Sequence, residues 1–267
     1  VRDDRLLLGT IDSSRNADYS ETEKNNYRHA VELVKNLPPN KHVIDILAFD
    51  KKGAQQIVPF KKFTPLDRLV ESEESSTAST SLRYVLDVIR GARFLEENGI
   101  GLQDIALGNI SVVTDEETGE KFGALTDLEG LYPLNEKLNS RIVAAPPQQI
   151  DDRTVKVDIA DQLNNMMGQK SPYFPTEASF EKKFQASEMV FQFGVSLNLL
   201  QDELVLNLKL MKSGPTGRAV AQEWKNFLER ATIYEKDKKN PLEKRLTLQE
   251  LEIGLASFVE KFQKMGL

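Results

Sequence analysis

A chain of 267 residues is long enough for one large domain or two lobes with a substantial core, and 40% hydrophobic against 28% charged residues is the balance of a folded globular protein. A formal net charge of -6 argues against a nucleic-acid partner, which needs a clustered excess of Lys and Arg. The lack of cysteine removes disulfides, thiolate nucleophiles and cysteine zinc sites together, and no apolar run reaches the roughly 18 to 20 residues that span a bilayer, so a cytoplasmic location is expected.

Residues 5–11 (RLLLGTI) make a short apolar run that predicts a strand. Ser20 followed by Glu23 is a capping-box signature, and Tyr27, Ala30, Val31 and Val34 continue at helical spacing until Pro38 and Pro39. Residues 42–49 (HVIDILAF) and 55–60 (QQIVPF) read as two strands joined by a turn at residues 50–53. Residues 71–81 (ESEESSTASTS) are polar and of low complexity, which predicts a linker or surface loop.

Leu82, Val85, Leu86, Ile89 and Ala92 mark a long helix that Asn98 and Gly99 end. Two short strands, over residues 109–113 and 122–128, bracket the polar turn DEETGEK. Residues 130–173 show weak periodicity and contain Pro133, Pro146 and Pro147, which predicts a long surface segment. Beyond Phe180 the runs 189–200, 219–232 and 246–265 have helical length and apolar stripes. Trp224 is expected in the core, His29 and His42 at the surface or as caps, and residues 236–239 (KDKK) in a solvated turn. Strands first and helices after define an α+β arrangement, with a sheet-containing lobe over residues 1–60 and a helical lobe over 61–267. Ligands of such proteins sit in the cleft between lobes.

The stretch most informative for chemistry is residues 99–109, GIGLQDIALGN. Asp104 and Asn109 lie five residues apart on a loop between a helix and a strand, and Asp127 ends the next strand. Taken singly, each reads as a turn residue that hydrogen-bonds the local backbone. Taken together they can converge on one point, and a hard cation such as Mg²⁺ takes such oxygen ligands together with phosphate oxygens. Phosphoryl transfer needs that metal and a carboxylate that orients the attacking hydroxyl.

This pattern resembles the catalytic domain of the protein kinase superfamily, whose catalytic loop has Asn five residues after the Asp of H-R-D and whose metal-binding turn is D-F-G. Leu102-Gln103-Asp104 with Asn109 resembles the first element, and Asp127-Leu128-Glu129 a degraded form of the second. Pro175-Thr176-Glu177 is similar to A-P-E, Phe193-Gly194-Val195 to the F-G-V of the central helix, and Asn240-Pro241 with Arg245 and Thr247 to a late D-P-x-x-R-P-T element. The resemblance implies a two-lobed kinase-like fold with Asp104 as the catalytic carboxylate and Asn109 and Asp127 as metal ligands. It also implies Val58 and Phe60 against a bound nucleotide, ATP with Mg²⁺ as cofactor, and an ion pair between Glu177 and Arg245.

The chain departs from the family where ATP is gripped. The run RLLLGTID holds no lysine, Arg5 being its one basic residue, and Gly9 is the sole glycine before Gly53. Because the sequence opens on Val1 rather than Met, a glycine-rich segment upstream would restore part of this machinery. The helix glutamate that partners the lysine is either Glu23 or Glu32. Leu102 and Gln103 replace His-Arg, Ala106 replaces a lysine, and Glu129 replaces the glycine of D-F-G. Met189 falls where the family has the aspartate that braces the catalytic loop, with Glu188 as a stand-in beside it.

The first expectation is therefore a pseudokinase, a regulatory or scaffolding module with another protein as partner and at most weak nucleotide binding. The alternative is an active, divergent Mg²⁺-dependent kinase that phosphorylates Ser/Thr hydroxyls. A third reading is a kinase-like enzyme acting on a small molecule or transferring a different group.

Overall fold

The computed structural model describes residues 8–11, 32–35, 37–44, 48–49, 56–59, 62–71, 77–102, 105–115, 118–126, 128, 131–134, 185–232 and 245–267. The architecture is α+β, as the order of elements in the sequence predicts.

Strand β1 (Leu8–Ile11) and strand β2 (Ala48–Phe49) flank β3 (Gln56–Pro59) in an antiparallel sheet of order β1-β3-β2. Ala48 lies opposite Ile57 and Phe49 opposite Gln56, which is the hairpin pairing expected of the two apolar runs. Of the helix expected before Pro38, residues 32–34 are described and helical, and the N–H of Leu37 donates to Val34 O at 2.9 Å. Its earlier residues, with Ser20, Glu23 and His29, lie outside the described residues.

A second antiparallel sheet has the order β4-β6-β7, from β4 (Lys62–Pro65), β6 (Ile110–Thr114) and β7 (Lys121–Leu125). β6 and β7 are the expected strand pair around the polar turn. β4 and the short helix α1 (Leu66–Glu71) that follows it are not evident in the sequence, because each is too brief to show a period.

Helix α2 (Ala78–Glu97) is the centre of the molecule. Leu82, Val85, Val88, Ile89, Ala92 and Leu95 are fully buried on it, and α2 packs on β7, on β5 (Ile100–Leu102) and on α6 (Leu248–Lys264). Each of the Val, Leu and Ile side chains stabilises the fold by about 1.5–3 kcal/mol relative to exposure. Contact with β7 is backbone to backbone: a Cβ on Gly123 would lie 2.0 Å from Tyr84 O. Gly91 meets the carbonyl of His42 in the same way, at 2.6 Å. On the outer side Glu252 of α6 bridges Arg93, at 2.6 Å, and Arg90, at 3.2 Å.

Two sequence expectations are corrected around this helix. The polar segment 71–81 is not a surface linker over its whole length: Glu71 ends α1, and Ala78–Ser81 form the first turn of α2 with Ala78, Ser79 and Ser81 buried. Small hydroxyl residues are buried there because they find partners, Ser79 donating from both N and Oγ to Leu267 O at 3.2 and 2.7 Å. His42 is buried rather than at the surface. Its Nδ1 donates to Gly123 O at 2.9 Å, and its carbonyl accepts from Leu125 N at 2.9 Å. Together with Ile44 N donating to Leu125 O, this stitches residues 42–44 to the edge of β7.

The C-terminal part contains α3 (Ala186–Glu203), α4 (Leu206–Lys212), α5 (Gly214–Ala231) and α6. The three long helices match the three helical runs of the sequence. Trp224 is fully buried as expected, edge-on to Phe258 and Phe262 at 5.0 and 5.7 Å, and its Nε1 donates to Gln201 Oε1 at 2.8 Å. Within the segment expected to be irregular, β8 (Leu131–Pro133) pairs antiparallel with β5, Leu102 opposite Leu131. Residues 135–184, with Glu177, and residues 236–239 lie outside the described residues.

Candidate functional site

The sequence places its candidate chemistry on the loop between β5 and β6 and on the turn after β7. Residues at the anchors of both are buried: Leu102 and Ile105 on either side of residues 103–104, and Thr126 and Leu128 on either side of residue 127. Leu102 pairs with Leu131 across β5-β8, and Ile110 pairs with Leu125 across β6-β7. That second register brings Asn109, just before β6, and Thr126, just after β7, to the same end of the ribbon. There the hydroxyls of Ser111 and Thr126 share a buried hydrogen bond of 2.8 Å.

Asn109 closes a 3-10 turn, Leu107–Asn109, whose geometry is set by the Ala106 carbonyl. That carbonyl accepts from Asn109 N at 2.9 Å and from Ile110 N at 3.2 Å. The turn fixes where the Asn109 backbone enters β6, with its side chain half-buried. Val58 lies in β3, opposite Gly9 of β1. Asp104, Asp127 and Phe60 lie outside the described residues. Among the described residues no group of three or more His, Asp or Glu is placed to hold a metal ion.

Helix α3 holds the loop from below with three side chains on one face. Met189 Sδ accepts from Leu102 N at 3.2 Å, Gln192 Oε1 accepts from Ile105 N at 2.7 Å, and Ser196 Oγ donates to Ile105 O at 2.9 Å. All three side chains are buried, and their spacing of three and four residues is that of one helical stripe. Gln192 Nε2 is buried and has no hydrogen-bond partner among the described residues. Glu188 accepts at Oε1 from Gln185 N at 3.0 Å, at the start of the helix.

Sequence reasoning singled out Met189 but not Gln192 or Ser196. The signal was present, since two polar residues on the inner face of an otherwise apolar helix announce hydrogen bonds to something buried. Arg245 donates from Nη1 to Ser187 O at 3.0 Å, and its guanidinium lies 5.1 Å from the centre of the Phe191 ring. Its expected partner Glu177 is outside the described residues. Phe193, Gly194 and Val195 are all buried in α3, and a Cβ on Gly194 would lie 2.9 Å from that of Ala231 on α5.

The sequence matches no protein-family model and no curated protein. Among the described residues no helix is long and apolar enough to cross a membrane.

Proposed function

We propose that the chain is a protein-kinase-like domain that has lost its phosphate-gripping groups and works as a pseudokinase, a regulatory or scaffolding module for another protein. Binding of ATP with Mg²⁺ is at most weak in this reading. The observation that carries it is the uncharged brace on the loop. Residue 189 stands where the resemblance expects an aspartate, and the loop N–H groups go instead to the Met189 thioether and the Gln192 carboxamide.

A thioether is a weak acceptor, so this brace keeps the loop in shape without adding a carboxylate. A binding module needs shape alone, whereas phosphoryl transfer needs charge preorganised around metal and phosphate. The sequence points the same way, with no lysine in residues 5–12, Ala106 in place of a lysine, and Glu129 beside Asp127.

A thermal-shift titration with ATP, with and without Mg²⁺ or Mn²⁺, tests the reading, because a ligand that binds the native state raises its apparent stability. A small or absent shift and no phosphate transfer to Ser/Thr peptides are expected. A metal-dependent shift abolished by Asp127→Ala, with phosphate transfer lost in Asp104→Ala, would establish an active Mg²⁺-dependent kinase instead.

A further inference from the structure

Of the five large apolar side chains exposed among the described residues, three lie on one short stretch: Val205 at 51%, Leu208 at 51% and Met211 at 54%. Their spacing of three places them along one side of α4. Val205 is also the one described non-glycine residue at positive φ, 50°, a left-handed conformation that β-branched residues avoid. It sits at the junction of α3 and α4, and its carbonyl accepts from Lys209 N at 3.1 Å to start the second helix. The strain is tolerated at a junction that turns an apolar stripe outward.

Met211 also walls a groove of about 640 Å³ between α3, α4 and α5. Asn198, Gln201, Asn207 and Gln222 line it with side-chain amides, beside Arg218 and the ion pair of Lys225 with Glu229 at 3.8 Å. Asn198 is tied within the protein, Nδ2 donating to Gly194 O and Oδ1 accepting from Gln201 Nε2, which leaves Asn207 and Gln222 as the amides suited to the main chain of a polypeptide. The charged lining of the groove is mixed, Arg218 standing beside the Lys225–Glu229 pair, whereas the face of α4 next to it is basic. Residues 204–222 contain Lys209, Lys212 and Arg218 and no carboxylate, between Asp202 and Glu203 on one side and Glu223 on the other, within a protein of net charge -6. All three cations are exposed, and none forms an ion pair with a described residue.

We propose that this face of α4 and α5 is the docking surface for an acidic, amphipathic segment of a partner protein. Its aliphatic side chains cover Val205, Leu208 and Met211, its carboxylates meet Lys209, Lys212 and Arg218, and its main chain lies along the amides of the groove. The proposal rests on the scaffolding reading and gives the partner a place and a chemistry. A second copy of this chain fits poorly, because a twofold contact would set the same cations against each other. An anionic membrane fits poorly as well, because a flat lipid surface leaves the amide-lined groove unfilled.

The test selects a displayed library of random short peptides on the full chain and measures the enriched peptides by fluorescence anisotropy. Enrichment of Asp and Glu among Leu, Ile, Phe and Met is expected. Leu208→Ser with Met211→Ser should weaken binding about tenfold or more, as removal of central anchors does. Lys209→Glu with Lys212→Glu should weaken it too and flatten its salt dependence, while Ile253→Ser, on α6, leaves it unchanged. All these side chains are exposed, so unchanged melting curves verify the variants.

No enriched peptide, a basic consensus, or binding that survives Leu208→Ser with Met211→Ser would overturn the proposal. So would self-association of the free chain lost in Met211→Ser, or binding to phosphatidylserine vesicles lost in Lys209→Glu with Lys212→Glu. Nucleotide titration of the same protein reads the kinase-like site separately, so a failure here is distinguishable from a failure of the pseudokinase reading.

Discussion

Ile105 N–H donates to Gln192 Oε1 at 2.7 Å, which joins the middle of helix α3 to a loop 87 residues earlier in the chain. Both residues are fully buried, so water cannot replace this bond if it is lost. Gln192→Leu should therefore cost about 1–3 kcal/mol, the usual cost of leaving a buried donor unsatisfied. Denaturant unfolding measures the loss, and hydrogen exchange should show the Ile105 amide exposed ahead of the amides of α3.

Met189→Leu makes the complementary test. The swap conserves volume and removes only a weak acceptor, so it should cost less than about 1.5 kcal/mol. If Met189→Leu destabilises more than Gln192→Leu, the thioether rather than the carboxamide is the principal brace.

Gly123→Ala should destabilise the protein through contact geometry alone. The added Cβ would lie 2.0 Å from Tyr84 O, and both partners are backbone, so α2 and β7 must move apart. A cost of about 1–3 kcal/mol or more is expected from such overpacking. The N–H of Gly123 donates to Asp87 Oδ2 at 3.2 Å, and the separation should loosen that bond also. Comparison of the melting curves of Gly123→Ala and the exposed Gly108→Ala, whose Cβ would meet nothing closer than 3.5 Å, separates overpacking from a general effect of replacing glycine.

Thr247 and Glu250 cap α6 reciprocally: Thr247 Oγ1 accepts from Glu250 N at 3.1 Å, and Glu250 Oε2 accepts from Thr247 N at 2.8 Å. The bond from the Thr247 backbone holds the Glu250 carboxyl below its usual range, with further help from the Thr247 hydroxyl and Arg230. A depressed folded value means that this stabilisation is complete above the ordinary glutamate range and is lost as pH falls through the depressed value. Thr247→Ala should cost about 0.5–2 kcal/mol near neutral pH. Glu250→Gln should flatten the acid limb of stability against pH, measured by urea unfolding at successive pH values.

The long elements were legible because their periods repeat. Leu82, Val85, Ile89 and Ala92 cover several turns of α2, and all are buried. Strand β8 and helix α4 span three and seven residues, too few to separate a period from chance. Polarity misled at Ser79 and His42, whose burial depends on the partners Leu267 O and Gly123 O, remote in sequence. At the candidate site the Asp104 to Asn109 interval was readable, and the structure adds how Asn109 is set into β6. The bond from Leu102 to Met189 was not readable, because nothing in a local pattern marks a sulfur as an acceptor.

The three groups that hold the loop, a thioether, a carboxamide and a hydroxyl, have no ionisable proton across the ordinary pH range. The cap of α6 depends on a carboxylate. Acid titration should therefore dismantle the molecule in a set order, with the first turn of α6 fraying while the Leu102 and Ile105 amides stay protected, so that the candidate site outlasts the helix end that closes the C-terminal bundle.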